Sequence, residues 1–144
     1  MNRPQRHPRA LSGPIRPQEV SVAEWRETEA DFTTWVIDTA HLYGWKCAHF
    51  RPARVMRKGK ETWETPFSAD GKGFPDLVLT HPSKRRPLWF IELKSETGKV
   101  SPEQKDWLWL LSVSPSAQAA VWRPSDRDKI TRTLKFESFG FEEA

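Results

Sequence analysis

Only one cysteine, Cys47, occurs in the 144 residues. No internal disulfide can form, and no cysteine cluster is offered to zinc, as expected of a chain that works in a reducing cytoplasm. No apolar run approaches the roughly 20 residues of a membrane span, so no membrane partner is expected. The basic opening MNRPQRHPRALSGPIRP is followed by no apolar stretch, so a secretory signal is not expected either. There is no glycine-rich phosphate loop, hence no nucleotide cofactor is implied, and no internal repeat. His41, His49 and His81, even with Cys47, lack the spacing of a metal site and are expected in the core or on the surface. His49 lies at the end of the first predicted strand, where it can face a polyanion.

Basic charge and tryptophan are plentiful. Lysine and arginine number 23 against 19 acids, for a net charge of +4. That mild excess fits either an ordinary soluble domain or a polyanion partner. Its distribution is more informative. Arg51, Arg54, Arg57, Lys58 and Lys60 stand together without an acid, and Lys84, Arg85 and Arg86 form a second block. Most of the eight tryptophans are expected in the core, because large aromatics supply much of the buried area of a small domain.

Length and punctuation give one domain over residues 21–136, a basic Pro/Arg-rich arm over 1–20 and a tail over 137–144. Two capping-box patterns, Ser21 with Glu24 and Thr28 with Asp31, offer alternative starts for a first helix. Its apolar stripe runs through Phe32, Trp35, Val36, Ala40 and Tyr43, and Gly44 ends it. Strands are predicted at Trp45–Phe50, Asp76–Thr80 and Leu88–Lys94, with a long charged loop over 51–72. Ser101, Pro102 and Gln104 open a second helix, whose buried side is read as Trp107, Leu108, Leu110 and Leu111. A fourth strand is expected at Ala119–Trp122, then a helix capped by Ser125 with Asp128 and running to about Leu134. The order helix, three strands, helix, strand, helix describes an α/β sandwich around a mixed sheet.

Charged residues inside apolar strands need a reason, because burying them unpaired is costly. In the third strand Glu92 and Lys94 share a face and lie roughly 7 Å apart at its end. If the second and third strands form an antiparallel hairpin, Asp76 at the start of one lies beside that end. Two carboxylates so placed repel each other, and a hard divalent cation relieves the conflict. Mg2+ or Mn2+ held there would polarise a phosphoryl oxygen and acidify its bound water, with Lys94 positioning or deprotonating the water. The plainer alternative is a Lys94–Glu92 surface ion pair with Asp76 in a turn. Glu29, at the N-terminal end of the apolar stripe, is either a first-turn acid favoured by the helix dipole or a residue reaching into the site. Gln104 is either the third member of a capping box with Ser101 or a site residue.

Asp76 followed by Glu92-Leu93-Lys94 resembles the PD-(D/E)XK nuclease motif, with Pro75-Asp76 supplying its first letters. The longer pattern is similar to the VRR-NUC branch, known from bacteriophage and bacterial nucleases. It comprises Thr28-Glu29-Ala30-Asp31-Phe32 at a helix start, Gly44-Trp45 at a strand start, Gly73 to Leu79, Glu92 to Lys94, Gly98 to Leu108 and Val121 to Asp126. The resemblance implies a restriction-endonuclease-like αβββαβ core with a central mixed sheet flanked by helices. It implies a divalent metal on Asp76 and Glu92 with the Leu93 carbonyl, Lys94 as catalytic lysine, Glu29 completing or supporting the metal site, and Gln104 beside it. The expected activity is metal-dependent endonucleolytic hydrolysis of DNA, directed at Holliday junctions or other branched structures rather than at a sequence. The basic 51–60 stretch would contact phosphates, and a homodimer would place one site on each of two strands. A non-catalytic DNA-binding module, or a subunit of a larger phage assembly, are the alternative readings.

Overall fold

Thr28 caps the first helix, α1 (Glu29–Leu42). Its hydroxyl accepts the Asp31 N–H at 3.1 Å, and the Asp31 carboxylate accepts the Thr28 N–H at 3.0 Å. The second of the two predicted starts is therefore used. In this computed structural model the described residues are 27–136, except 51 and 84. The 1–20 arm, the pair Ser21 and Glu24, Arg51, Lys84 and the 137–144 tail lie outside them. Tyr43 is the C-cap of α1, and Gly44 turns the chain at φ 83°, the left-handed conformation that glycine adopts without strain.

A four-stranded sheet follows in the order β1 (Lys46–His49), β4 (Leu77–Thr80), β5 (Leu88–Leu93), β6 (Ala117–Trp122). The β1–β4 and β4–β5 pairs are antiparallel, whereas β5–β6 is parallel. The parallel pair needs a crossover, supplied by α2 (Pro102–Ser112). The described chain closes with a 3-10 turn at Pro124–Asp126 and α3 (Arg127–Lys135). This is a mixed sheet flanked by helices, the restriction-endonuclease-like arrangement.

Period-two alternation divides the sheet. Leu77, Leu79, Ile91 and Leu93 point to one side and join Phe32, Val36 and Ala40 of α1 and Ile130 and Leu134 of α3 in the core. Trp45 packs there too and donates its indole N–H to the Leu134 carbonyl at 2.8 Å. Thin as its apolar content is, α3 buries Ile130 and Leu134 completely. Phe90 and Glu92 take the other side, below α2. That face is smaller: Phe74 meets Phe50, Phe90 and Trp107 edge-on, with centroids 5.1–5.9 Å apart.

Three expectations are corrected. The 51–72 stretch is not a structureless loop, because it contains a hairpin of β2 (Ala53–Arg57) and β3 (Lys60–Glu64). Lys58 at φ 51° and Gly59 at φ 74° form the two-residue turn with both dihedrals positive that suits the twist of paired strands. Second, α2 buries no residue fully, and Leu110 is exposed along with Trp109 and Val113. Gln104 reaches Glu92 on the sheet, and at roughly 100° per residue Leu108 and Leu111 lie within about 40° of it around the helix, whereas Leu110 is about 120° away. Third, Ser125 does not cap the last helix. Its N–H and hydroxyl both bond the Glu96 carboxylate, and Asp126 occupies the N-cap position.

Candidate active site

Asp76 sits one residue before β4 and is pinned on two sides. Its carbonyl accepts the Phe50 N–H at 2.9 Å from the end of β1. Its carboxylate Oδ2 accepts the Leu93 N–H at 2.9 Å from the end of β5. Leu77 pairs with Ile91, so the antiparallel register carries Asp76 opposite Glu92. The hairpin of β4 and β5 thus brings together two acids that are well separated in sequence, as their strand positions suggest.

Among the described residues Glu92 is the one charged residue that is buried, with 1% exposure. Its Oε1 accepts Lys94 Nζ at 3.0 Å and Gln104 Nε2 at 2.6 Å. Its Oε2 is buried and has no hydrogen-bond donor among the described residues. Lys94 is itself only 16% exposed, so this is not a surface ion pair. Gln104 makes two contacts at once. Its Oε1 accepts the Ser101 N–H at 2.8 Å, closing the capping box of α2, while its amide nitrogen reaches Glu92. The helix cap aims the side chain that touches the site.

The two carboxylates sit where protons are held more tightly than usual. Burial pushes Glu92 up to about 7, and the charge of Asp76 adds to this against the opposing pull of Lys94. Asp76 is raised by burial as well, opposed by the Leu93 N–H and by the charges of Lys94 and His49. An acid pair with raised proton affinity and an undonated oxygen fits a hard divalent cation. Asp76 and Glu92 supply oxygen donors of the right kind. Among the described residues no group of three or more His, Cys, Asp or Glu is assembled for a metal. Glu29 is exposed at the first turn of α1 and lines a hollow of about 430 Å³ together with His49 and Asp76. Leu93 engages Asp76 through its N–H.

The predicted basic contacts lie on the hairpin. Arg54 and Arg57 are on β2, Lys58 is in the turn and Lys60 opens β3, all exposed. The acid-free stretch in sequence is not acid-free in space: Arg54 pairs with Glu61 at 3.2 Å and Arg57 with Glu64 at 2.9 Å across the strands. Arg86 is structural, its guanidinium lying 5.6 Å from the Trp45 ring and 5.0 Å from the Phe136 ring. His81 bonds the Tyr43 carbonyl and the Ser83 N–H, and His41 is exposed on α1. Cys47 is half-buried, which raises its thiol and makes it a poor ligand or nucleophile.

Two contributions escape a reading of the sequence. Arg123 donates to the carbonyls of Ser95 at 2.5 Å and Gly98 at 2.8 Å, holding the turn that follows Lys94. The signal for it was its place in the closing Val121 to Asp126 pattern. Phe50, Phe67 and Phe74 line a second hollow beside Asp76 and Gln104. They are distant in sequence, and no spacing links them.

A family model described as the VRR-NUC domain matches residues 16–123. No curated protein and no solved structure matches the chain significantly.

Proposed function

Because this chain belongs to the VRR-NUC domain family, a PD-(D/E)XK-like nuclease family acting on DNA, we propose that it is a divalent-metal-dependent DNA endonuclease whose site is Asp76, Glu92 and Lys94. One observation carries the reading: buried Glu92 and half-buried Asp76 share the end of a hairpin with a nearly buried lysine, and one Glu92 oxygen has no donor among the described residues. Asp76 and Glu92 would hold Mg2+ or Mn2+, with the Leu93 carbonyl as a further oxygen donor and Glu29 supporting the site from the hollow's edge. Such a cation supplies Lewis acidity toward a phosphoryl oxygen. Gln104 and Lys94 fix the Glu92 carboxylate from two directions. Lys94 then orients the attacking water and offsets the charge that develops on the phosphate. Arg51, Arg54, Arg57, Lys58 and Lys60 meet phosphates without reading bases.

The substrate we assign is branched DNA, including four-way junctions. Two copies meeting through the exposed outer side of α2, at Trp109, Leu110 and Val113, would put a site on each of two strands. The test is a cleavage panel on linear, flapped and four-way DNA with Mg2+, Mn2+ or a chelator. Metal-dependent cutting that prefers branched DNA, abolished in Asp76→Ala and Lys94→Ala, is the expected result. DNA binding without cleavage in every metal would overturn the enzyme reading. Cleavage by both variants at the wild-type rate would overturn the site.

A further inference from the structure

The larger hollow, about 620 Å³, lies between the β2–β3 hairpin, the 65–74 segment and the start of α2. Its lining is aromatic where the site is acidic. Phe50 is 43% and Phe67 53% exposed, and Phe74, also in the lining, packs edge-on against Phe50 and against Phe90 of the sheet. Large aromatic faces left open to water in a small domain mark a place where something docks. At the hollow's edge are two cations, Arg57 and Lys72, each with 67% of its side chain exposed. Each is steadied by one acid, Arg57 by Glu64 at 2.9 Å and Lys72 by Glu103 at 3.1 Å. Asp76 and Gln104 belong to the same lining, so the hollow reaches one acid of the pair and the amide that bonds the other. Phe50 and Asp76 also line the smaller hollow.

We infer that the larger hollow is a binding site for an unpaired nucleobase of the DNA strand, next to the phosphodiester attacked at Asp76, Glu92 and Lys94. The inference rests on the nuclease reading above and specifies its substrate as DNA with at least one unstacked base at the cut. Within a duplex the faces of a base are covered by its neighbours. An exposed phenylalanine can stack only on a base that has left the helix. Cations flanking aromatic rings are the pairing that single-strand sites use, the cation for the backbone and the ring for the base. Phenylalanine carries no hydrogen-bonding group, so the hollow would accept any of the four bases. The occupant is therefore selected by DNA structure and not by sequence.

The experiment uses the full chain in chelator, so that nothing is cut, with gapped duplexes carrying 2-aminopurine at successive unpaired positions. Binding by the wild-type protein should quench the probe at one position and should favour gapped over fully paired DNA. Phe67→Ala and Phe50→Ala should abolish that quenching and bind gapped DNA about 5- to 150-fold more weakly, as removal of one stacking partner predicts. Phe67→Leu keeps apolar bulk without a π-face and should behave like Phe67→Ala, which separates stacking from a fault in folding. Leu42→Ala, exposed at the far end of α1, should match wild type. Equal affinity of the wild type for gapped and paired DNA, or wild-type quenching in both phenylalanine variants, would overturn the inference. Should metal-dependent cutting persist in either case, the nuclease reading stands and only the base site falls. Failure of the wild type to bind or cut any DNA removes both.

Discussion

Glu92 carries two opposed demands at a single carboxylate. Lys94 and Gln104 hold its charged form, while burial and Asp76 disfavour it. The consequence for stability has a definite sign. Its ordinary value is 4.5 and its folded value about 7, so between these the folded state keeps a proton that the unfolded chain has released. Metal-free stability therefore falls as pH rises from about 4.5 to 7, by on the order of 3 kcal/mol at most, and Asp76 acts in the same direction. Urea denaturation of the metal-free protein at pH 5 and pH 8 checks this. Added Mg2+ should raise the melting temperature more at pH 8, where no proton has to be displaced. At Lys94 the expectation is kinetic: Lys94→Ala should slow single-turnover cleavage by about 100-fold or more. Cleavage within threefold of wild type would remove Lys94 from the chemistry.

The decisive elements are the turn before β4 and the hairpin. Gly73 has φ 81°, and a Cβ there would sit 2.7 Å from the Glu103 backbone and 2.8 Å from the Gln104 nitrogen. Gly73→Ala therefore pushes the first turn of α2, and with it the Gln104 side chain that holds Glu92. A destabilisation of roughly 2 kcal/mol is expected by chemical denaturation, with activity falling alongside. Gly59 is equally left-handed, but nothing lies within 4 Å of its Cβ position. Gly59→Ala should strain only the hairpin turn. Because an isolated two-stranded ribbon contributes little to global stability, the melting temperature should barely move. On the proposed reading, the hairpin's cations meet DNA phosphates. Replacing Lys58 and Lys60 by alanine should lower the slope of log affinity against log salt by about 1 for each phosphate that is no longer neutralised.

For the whole molecule, the core lies almost entirely on the α1/α3 side of the sheet, and the site lies on the α2 side, where packing is thinner. That asymmetry leaves the outer face of α2 apolar and open, with Trp109 64%, Leu110 50% and Val113 60% exposed. If two copies meet there, sedimentation should report a dimer for the wild type and a monomer for Trp109→Glu, with the melting temperature unchanged. A monomeric wild type across the micromolar range would exclude this interface. Among the described residues no helix is long and apolar enough to cross a membrane.

Local rules were enough for much of this protein. Period two placed Glu92 and Lys94 on one face, capping patterns offered Thr28 as one of two starts and located Ser101, and Gly44 marked the end of α1. These features depend on neighbours in sequence, so short-range sterics and hydrogen bonding determine them. The 51–72 stretch misled because its turn is Lys-Gly rather than a stronger hairpin pair, and its strands lack a buried face to give clean alternation. Ser125 misled because Glu96, remote in sequence, competes for its hydroxyl. Only tertiary structure decided that Gln104 caps a helix and grips Glu92 at once. Only tertiary structure set Arg57 beside Glu64 and gathered Phe50, Phe67 and Phe74 beside Asp76. The reason is physical: burial, ion pairing and cavity shape are set by groups that the fold brings together from distant parts of the chain, and no local spacing encodes them.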